Sequence, residues 1–455
     1  MVSIVHAVRD IGRLRDISRV LVRHGFGEVV GRLGLGRKSE APEGEPIDTE
    51  SNAALRIRRV LEDLGPSFVK LGQIASTRAD LFPADILVEL RKLQDSVAPV
   101  PFEAIRERVE TALGASLEQL FVSFDPSPLA AASVAQVHRA VLRTEEGDRQ
   151  VVVKVQRPGI AETIASDLDI LHSLAALLER TIPETRIYSP VGLVQQFDRA
   201  ITNELDFTIE ADNAQRFREN FRGDDSVVFP TVYRQASSKH AICLEYLDGR
   251  KIPDAVRHGH SGHTLARRAV AIIIKQIFED GFFHADPHPG NVLILGPIEK
   301  PIYALIDLGM VGRLSPRMRD LTVDMMVAAF RRDYDAVADA LHAIATPTRK
   351  VDMQAFRSEV AMLADRYLGK QLKDIEMSAL VRDLVRAATK YGMEVPPDFV
   401  LVGKTLMTVE GIGKEIAPDL DIMEESRPVF LEILKKRYSP ERLGSDLLRR
   451  LDRLG

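Results

Sequence analysis

Apolar residues recur at three- and four-residue steps at the start of the chain: Ile4, Val8, Ile11, Leu14, Ile17 and Leu21, with Arg on the other faces. This spacing predicts an amphipathic helix or helix pair over residues 3–35. Such a basic helix can lie on an anionic membrane surface, or it can dock on its own domain with a solvated Arg face; the pattern serves both. Residues 36–52, rich in Lys, Glu, Pro, Gly and Ser, read as a linker. Helical periodicity returns over about 53–125, with Pro66 suited to a first turn. From about 126 the period shortens, and runs at 136–142 and 150–155 are strand-like around a turn at Glu145-Glu146-Gly147-Asp148. Helices are expected at about 160–180 and 191–221, parted by a break over 183–190, with strands at 227–233 and 240–246. Beyond Ser261 the pattern is mostly helical. Four segments follow: 1–52 (basic helix region and linker), 53–125 (helical extension), 126–250 (β-rich lobe with a helical insertion) and 251–455 (helical lobe).

Composition narrows the class only modestly. At 455 residues, 45% hydrophobic and 28% charged, the chain suits an ordinary globular protein of two or three structural units. A net charge of −5 makes no case for nucleic acid. The charge is uneven, because residues 1–38 hold eight basic and three acidic side chains, a local balance of +5. The single Cys243 lies in the apolar stretch Ala241-Ile242-Cys243-Leu244 and reads as a reduced core residue, which fits a cytosolic setting. No apolar run approaches the length of a membrane span: Ala269-Val270-Ala271-Ile272-Ile273-Ile274 stops at Lys275.

The chemistry concentrates in His284-Ala285-Asp286-Pro287-His288-Pro289-Gly290-Asn291 and Asp307-Leu308-Gly309. Asp286 precedes Asn291 by five residues, the spacing of a kinase catalytic loop, and Asp307 follows sixteen later, after the apolar run Ile302-Tyr303-Ala304-Leu305-Ile306. Phosphoryl transfer needs one carboxylate at the attacking hydroxyl, and an Asn and a second carboxylate on the metal. A Pro/Gly-rich turn with two solvated Asp residues is the bland alternative, which the composite of loop, strand and second Asp disfavours.

Lys154 ends the run Val151-Val152-Val153-Lys154, where kinases keep the Lys that grips the phosphates and pairs with a helix Glu. A snorkelling strand-end Lys is the alternative. Glu210, 56 residues on, is the candidate partner, with the helix at about 160–180 as the insertion between them. Asp206 and Glu210 are expected on one helix face, with Lys154 and Lys70 as cations to offset them. The phosphate loop would be Ala130, Ala131, Ala132, Ser133 and Val134, in place of a Gly-rich loop. Alanine does not readily take positive φ and limits backbone approach, so this loop must hold nucleotide differently, unless it is a plain Ala-rich helical turn. Backbone groups of Glu245 and Leu247, in a hinge-like stretch, would meet the adenine edge.

Together these features predict an α+β, two-lobed protein-kinase-like fold with an N-terminal helical extension. Lys70-Leu71-Gly72-Gln73, the Ala-rich loop, Lys154, Glu204-Leu205-Asp206, Glu210, the catalytic loop and the Asp-Leu-Gly turn stand in this order. The chain thereby resembles the UbiB family of atypical kinases, also called ABC1 or ADCK, from about residue 55 to at least 330. The resemblance implies ATP and Mg2+ as ligands. It implies a catalytic Asp286, metal ligands Asn291 and Asp307, and an ion pair of Lys154 with Glu210. It also implies that the K-x-G-Q segment folds over the site, with Lys70, Gln73, Glu204 and Asp206 as an occluding set. Family association further implies isoprenoid-quinone (ubiquinone-type) biosynthesis on the cytoplasmic face of an inner membrane. Expected partners are a quinone-precursor or other isoprenoid lipid, the anionic membrane surface and quinone-biosynthesis proteins.

Several positions depart from ordinary kinases. Ala285 replaces the Arg that anchors a phosphorylated activation loop, and His288 stands where a phosphate-contacting Lys is usual. After Gly309 the chain turns quickly toward a helix, leaving little room for a peptide platform. These departures favour an ATPase or small-molecule kinase over an orthodox Ser/Thr protein kinase. A non-catalytic ATP-binding scaffold is the other alternative.

Overall fold

The computed structural model describes residues 4–32, 53–76, 82–93, 97–182, 189–368 and 377–437. The linker expected over 36–52 lies outside these residues, as does most of the break expected over 183–190. The chain forms two compact units: residues 1–211 with 231–246, and residues 212–230 with 247–455.

The first unit is built on an antiparallel sheet of Phe121–Ala131, Ala135–Leu142, Arg149–Gln156 and Ala241–Glu245, in that order. Strand alternation sets its two faces. Val151, Val153 and Val155 are fully buried against Ile105 and Val109 of the helix Phe102–Leu113. Val152, Ile242 and Leu244 turn the other way, into a helical core with Ile164, Leu168, Phe197, Ile201 and Phe207. Cys243 is free and buried, and burial pushes its thiol up to about 12, so it is a packing residue.

The expected N-terminal helix pair forms as Ile4–Arg23 and Gly27–Arg32. Ile17 is buried, and Leu14, Val20, Leu21 and Phe26 join the same core. At Leu14, Ile17, Val20 and Leu21 the apolar stripe therefore packs on the protein's own core. Arg13 leaves the solvated Arg face. It pairs with the buried Asp167 at 2.6 Å, donates to Leu64 O at 2.7 Å and lies 5.6 Å from the Phe68 ring.

Several boundaries differ from expectation. The first strand begins at Phe121, directly after the short helix Leu117–Leu120, so strand structure precedes residue 126. The single helix expected over 191–221 is two, Pro190–Glu204 and Phe207–Asn220. Asp206 causes the break: its carboxylate accepts the Thr208 N–H at 3.0 Å, capping the second helix. The strand expected over 227–233 shrinks to Val227–Val228, with an isolated bridge from Val232 to Leu244. Pro230 has no N–H to continue a ladder.

The second unit holds a small sheet ordered Val227–Val228, Ile302–Leu305, Val292–Leu295 and Arg250–Lys251, and a separate two-strand ladder of Phe282–His284 with Val311–Arg313. The helix Gly262–Ile274 widens into one π-helical turn, Lys275–Asp280, just before that ladder, an irregularity frequent beside functional sites. After the ladder, Ser315 caps the helix Pro316–Phe330 by accepting the Met318 N–H. The step from strand to helix is as short as expected. Further helices follow at Tyr334–Ile344, Met353–Leu368, Met377–Lys390, Pro397–Ile416 and Ile422–Arg437. Among the described residues, no helix is long and apolar enough to cross a membrane.

Candidate active site

In the first unit, Lys154 lies within the strand Arg149–Gln156, opposite Ile242, on the face away from Val153. Its Nζ is 2.9 Å from Glu210 Oε2 and 5.4 Å from the Phe207 ring centre. Glu210 is buried, so the strand position brings a charge to where a carboxylate needs one. The helix break at Leu205-Asp206 starts a new helix whose first turn carries Glu210.

The K-x-G-Q segment lies on the helix Pro66–Ala75. Lys70 Nζ is 2.8 Å from Glu204 Oε1. Gly72 has a packing reason: a Cβ there would sit 2.3 Å from Leu93 Cδ1 and 2.7 Å from Leu61 Cδ1. Gln73 Nε2 donates to Leu93 O at 3.4 Å. Asp206 does not share a helix face with Glu210 as expected. As the cap it precedes the helix, its carboxylate occupied by the Thr208 N–H and hydroxyl, with Lys239 at 4.0 Å.

The Ala-rich segment is a hairpin turn, not a helical one. Ala130 and Ala131 end the first strand, and the Ala132 N–H donates to Ala135 O at 2.8 Å to close the turn. Ser133 and Val134 are buried. Arg157 clamps the turn from below, donating to Ala132 O at 2.8 Å through Nε and to Val134 O at 3.0 Å through its backbone N–H. The Glu245 N–H donates to Thr231 O at 2.9 Å, and its carboxylate accepts the Thr231 hydroxyl at 2.6 Å. The Glu245 N–H is therefore engaged, leaving its carbonyl as the backbone group to offer a base. Leu247 begins the second unit's run.

In the second unit the loop 284–291, the candidate catalytic loop, is held at nearly every residue. The His284 N–H donates to Gln276 Oε1 at 3.0 Å, and Gln276 comes from the π-helical turn. His284 Nδ1 accepts the Asp286 N–H at 3.1 Å, which places the ring proton on Nε2. Complete burial pushes this imidazole down to about 4, so it stays neutral, a structural residue beneath the loop. The Ala285 N–H donates to Met310 O at 3.0 Å, tying the loop to the chain after the Asp-Leu-Gly turn. Asp286 O accepts the His288 N–H at 2.8 Å and Asn291 Nδ2 at 3.2 Å. The amide of Asn291 is thus oriented, with its Oδ1 left as an oxygen donor.

Asn291 and Asp307 are brought together by a ladder. Val292 pairs with Leu305, and the Ile306 N–H donates to Asn291 O at 3.1 Å, so Asp307 follows directly beside Asn291. Asp307 Oδ1 accepts the Gly309 N–H at 3.2 Å, and Leu308 O accepts Asn213 Nδ2 at 2.9 Å. Two hard oxygen donors, one anionic, are what Mg2+ takes when phosphates and water complete its shell. Among the described residues no group of three or more His, Cys, Asp or Glu side chains could hold a metal ion.

Sequence reasoning missed one partner of Asp286. Lys404, on the helix Pro397–Ile416, places Nζ 3.0 Å from Asp286 Oδ1. Its neighbour Thr405, fully buried, donates its hydroxyl to His284 O at 3.2 Å. The Arg313 N–H donates to Asp398 at the start of the same helix at 3.2 Å. A lone Lys within Val400-Leu401-Val402-Gly403-Lys404-Thr405-Leu406-Met407 was the available signal, since an apolar helix rarely carries a charge without a partner.

Residues 92–341 match the ABC1 atypical kinase-like domain, and residues 360–421 match the UbiB helical domain. A probable protein kinase UbiB from Marinobacter nauticus is 38% identical over 396 residues, covering 86% of this chain and 72% of that protein. One from Pseudomonas paraeruginosa is 38% identical over 398 residues, covering 87% and 74%. Among solved structures, Rv3197 of Mycobacterium tuberculosis, determined in complex with erythromycin, aligns at a TM-score of 0.50 and 22% identity, over 79% of this chain and 94% of that one; this likeness concerns the fold. With the ABC1 domain over more than half its length and such relatives along most of it, the chain belongs to the ABC1/UbiB family of atypical kinases.

Proposed function

We propose that this protein binds Mg2+ and ATP and uses the γ-phosphoryl group in support of ubiquinone-type lipid synthesis at a membrane surface. The part-buried ion pair of Lys154 and Glu210 is the observation that carries the reading, because kinases need that pair in place before transfer. Lys154 would meet the α- and β-phosphates, beside the turn of Ala130, Ala131, Ala132, Ser133 and Val134. Asn291 and Asp307 would hold the metal, which offsets charge on the phosphates. Asp286 would accept the proton of a water or an acceptor hydroxyl as its oxygen bonds the γ-phosphorus. The bond from that phosphorus to the β–γ bridging oxygen breaks, and ADP leaves.

The pair Lys70–Glu204 supports a restrained enzyme, in which polar groups of the K-x-G-Q segment are engaged before substrate arrives. Lys70, Gln73, Glu204 and Asp206 would form the cover that a lipid displaces. The side chains of Arg15, Arg19, Arg23 and Arg32 are exposed on the docked N-terminal helices and would face anionic headgroups. The UbiB name of the relatives points to a quinone precursor as the lipid and to other quinone-biosynthesis proteins as partners. This role places the protein at the cytoplasmic face of the inner membrane.

ATP hydrolysis measured with and without anionic vesicles and a phenolic quinone-precursor mimic tests the reading. We expect slow basal turnover that rises with both additions and is lost in Asp307→Asn. Nucleotide binding without turnover under any condition would instead support an ATP-gated scaffold. Labelling of a protein substrate at roughly 1–100 per second would restore the orthodox kinase.

A further inference from the structure

Lys404 has no role in the kinase plan set out above. It comes from the UbiB helical segment, 118 residues after Asp286. Its helix is tied to the catalytic centre at three points: Asp398 to the Arg313 N–H, Lys404 to Asp286, and Thr405 to His284 O. The helix cannot rotate freely. A Cβ at Gly403 would lie 2.4 Å from Val381 Cγ1 on the helix Met377–Lys390, so the two helices approach closely at the residue before Lys404. The aim of Lys404 is therefore set by packing on both sides of it.

The catalytic loop lacks a cation of its own. At the position of the usual phosphate-contacting Lys stands His288, whose Nδ1 accepts the Gly290 N–H at 2.9 Å. That imidazole is turned into its own loop. A Cβ on Gly290 would meet the ring at 2.3 Å, so the loop is closed around it.

We infer that Lys404 is the cation that stands beside Asp286 at the transferring phosphoryl group, delivered by the C-terminal helix in place of the catalytic loop. The inference rests on the Mg2+–ATP reading above. The physical need is clear: a carboxylate near a triphosphate repels it, and the transition state spreads negative charge over three equatorial oxygens. An ammonium 3.0 Å from that carboxylate offsets both charges. Lys404 breaks and forms no bond in this role and keeps its protons throughout. Because ADP lacks the γ-phosphate, Lys404 should distinguish ATP from ADP.

The test compares wild type, Lys404→Met and Lys404→Arg in Mg2+-dependent binding of ATP and of ADP, and in ATP turnover. Melting temperatures check that each variant is folded. We expect Lys404→Met to lower turnover by about 10²-fold and to weaken ATP about tenfold, with ADP binding unchanged. Lys404→Arg should recover most of both. If wild type binds both nucleotides, and Lys404→Met keeps the same ATP-to-ADP ratio and the same turnover, this inference fails alone. Faster turnover in Lys404→Met also overturns it, since the pair would then be a lock. Wild type that binds neither nucleotide overturns the ATP reading and this inference with it.

Discussion

Asp286→Asn will lower ATP turnover by about 10²–10⁴-fold and leave ATP affinity within a few-fold of wild type. The change keeps the shape of the side chain and its loop. Asp286 O, not its carboxylate, accepts the bonds from His288 and Asn291, so the loop should hold. What is lost is the proton acceptor, equivalent to about 3–5 kcal/mol of barrier. Binding is expected to survive because the proposed function gives the phosphate and metal contacts to Lys154, Asn291 and Asp307. Steady-state turnover and calorimetric ATP binding on the same preparation separate the two effects. A loss of binding as large as the loss of turnover would move Asp286 from chemistry to nucleotide or metal contact.

Arg13→Gln will destabilise the protein by about 3 kcal/mol, far more than a surface Arg should. Asp167 is buried on the helix Ile160–Thr181, and Arg13 meets both of its carboxylate oxygens, at 2.6 and 3.2 Å. Removing the guanidinium leaves a charge in the core and frees Leu64 O, which closes the helix before Gly65 and the K-x-G-Q helix. Asp167→Asn in the same background should recover much of the loss, because the remaining buried group is then neutral. Denaturant unfolding of the two single variants and the double variant checks this. A cost in Arg13→Gln within about 0.5 kcal/mol of zero would mean that the N-terminal helix is only loosely docked.

The contiguous features were readable from the chain. The catalytic loop, the Asp-Leu-Gly turn, the strand bearing Lys154 and the quick passage to the helix Pro316–Phe330 are each set by neighbours a few residues apart. The Lys154–Glu210 contact could be anticipated because a charge on an apolar strand demands a partner and the acidic stretch around Glu210 lay between strand and loop. Asp206 was misread as part of a helical face because carboxylate capping and helical periodicity give the same sequence spacing until the backbone is seen. The Ala-rich turn was ambiguous because alanine favours helix locally, and only the sheet register from Ala131 to Gln136 makes it a hairpin. Arg13 was not legible as a core residue, and Lys404 showed only as a charge in an apolar run. Their partners lie 154 and 118 residues away, and nothing local identifies the other half of a tertiary ion pair.

The proposed function requires that these residues hold ATP through a metal. Calorimetric titration of ATP into wild type and Asp307→Asn, each with Mg2+ and with EDTA, tests it most directly. We predict binding to wild type that weakens at least about tenfold in EDTA, and weak, metal-independent binding to Asp307→Asn. Equal ATP affinity in all four titrations, or no binding to wild type with Mg2+, would contradict it.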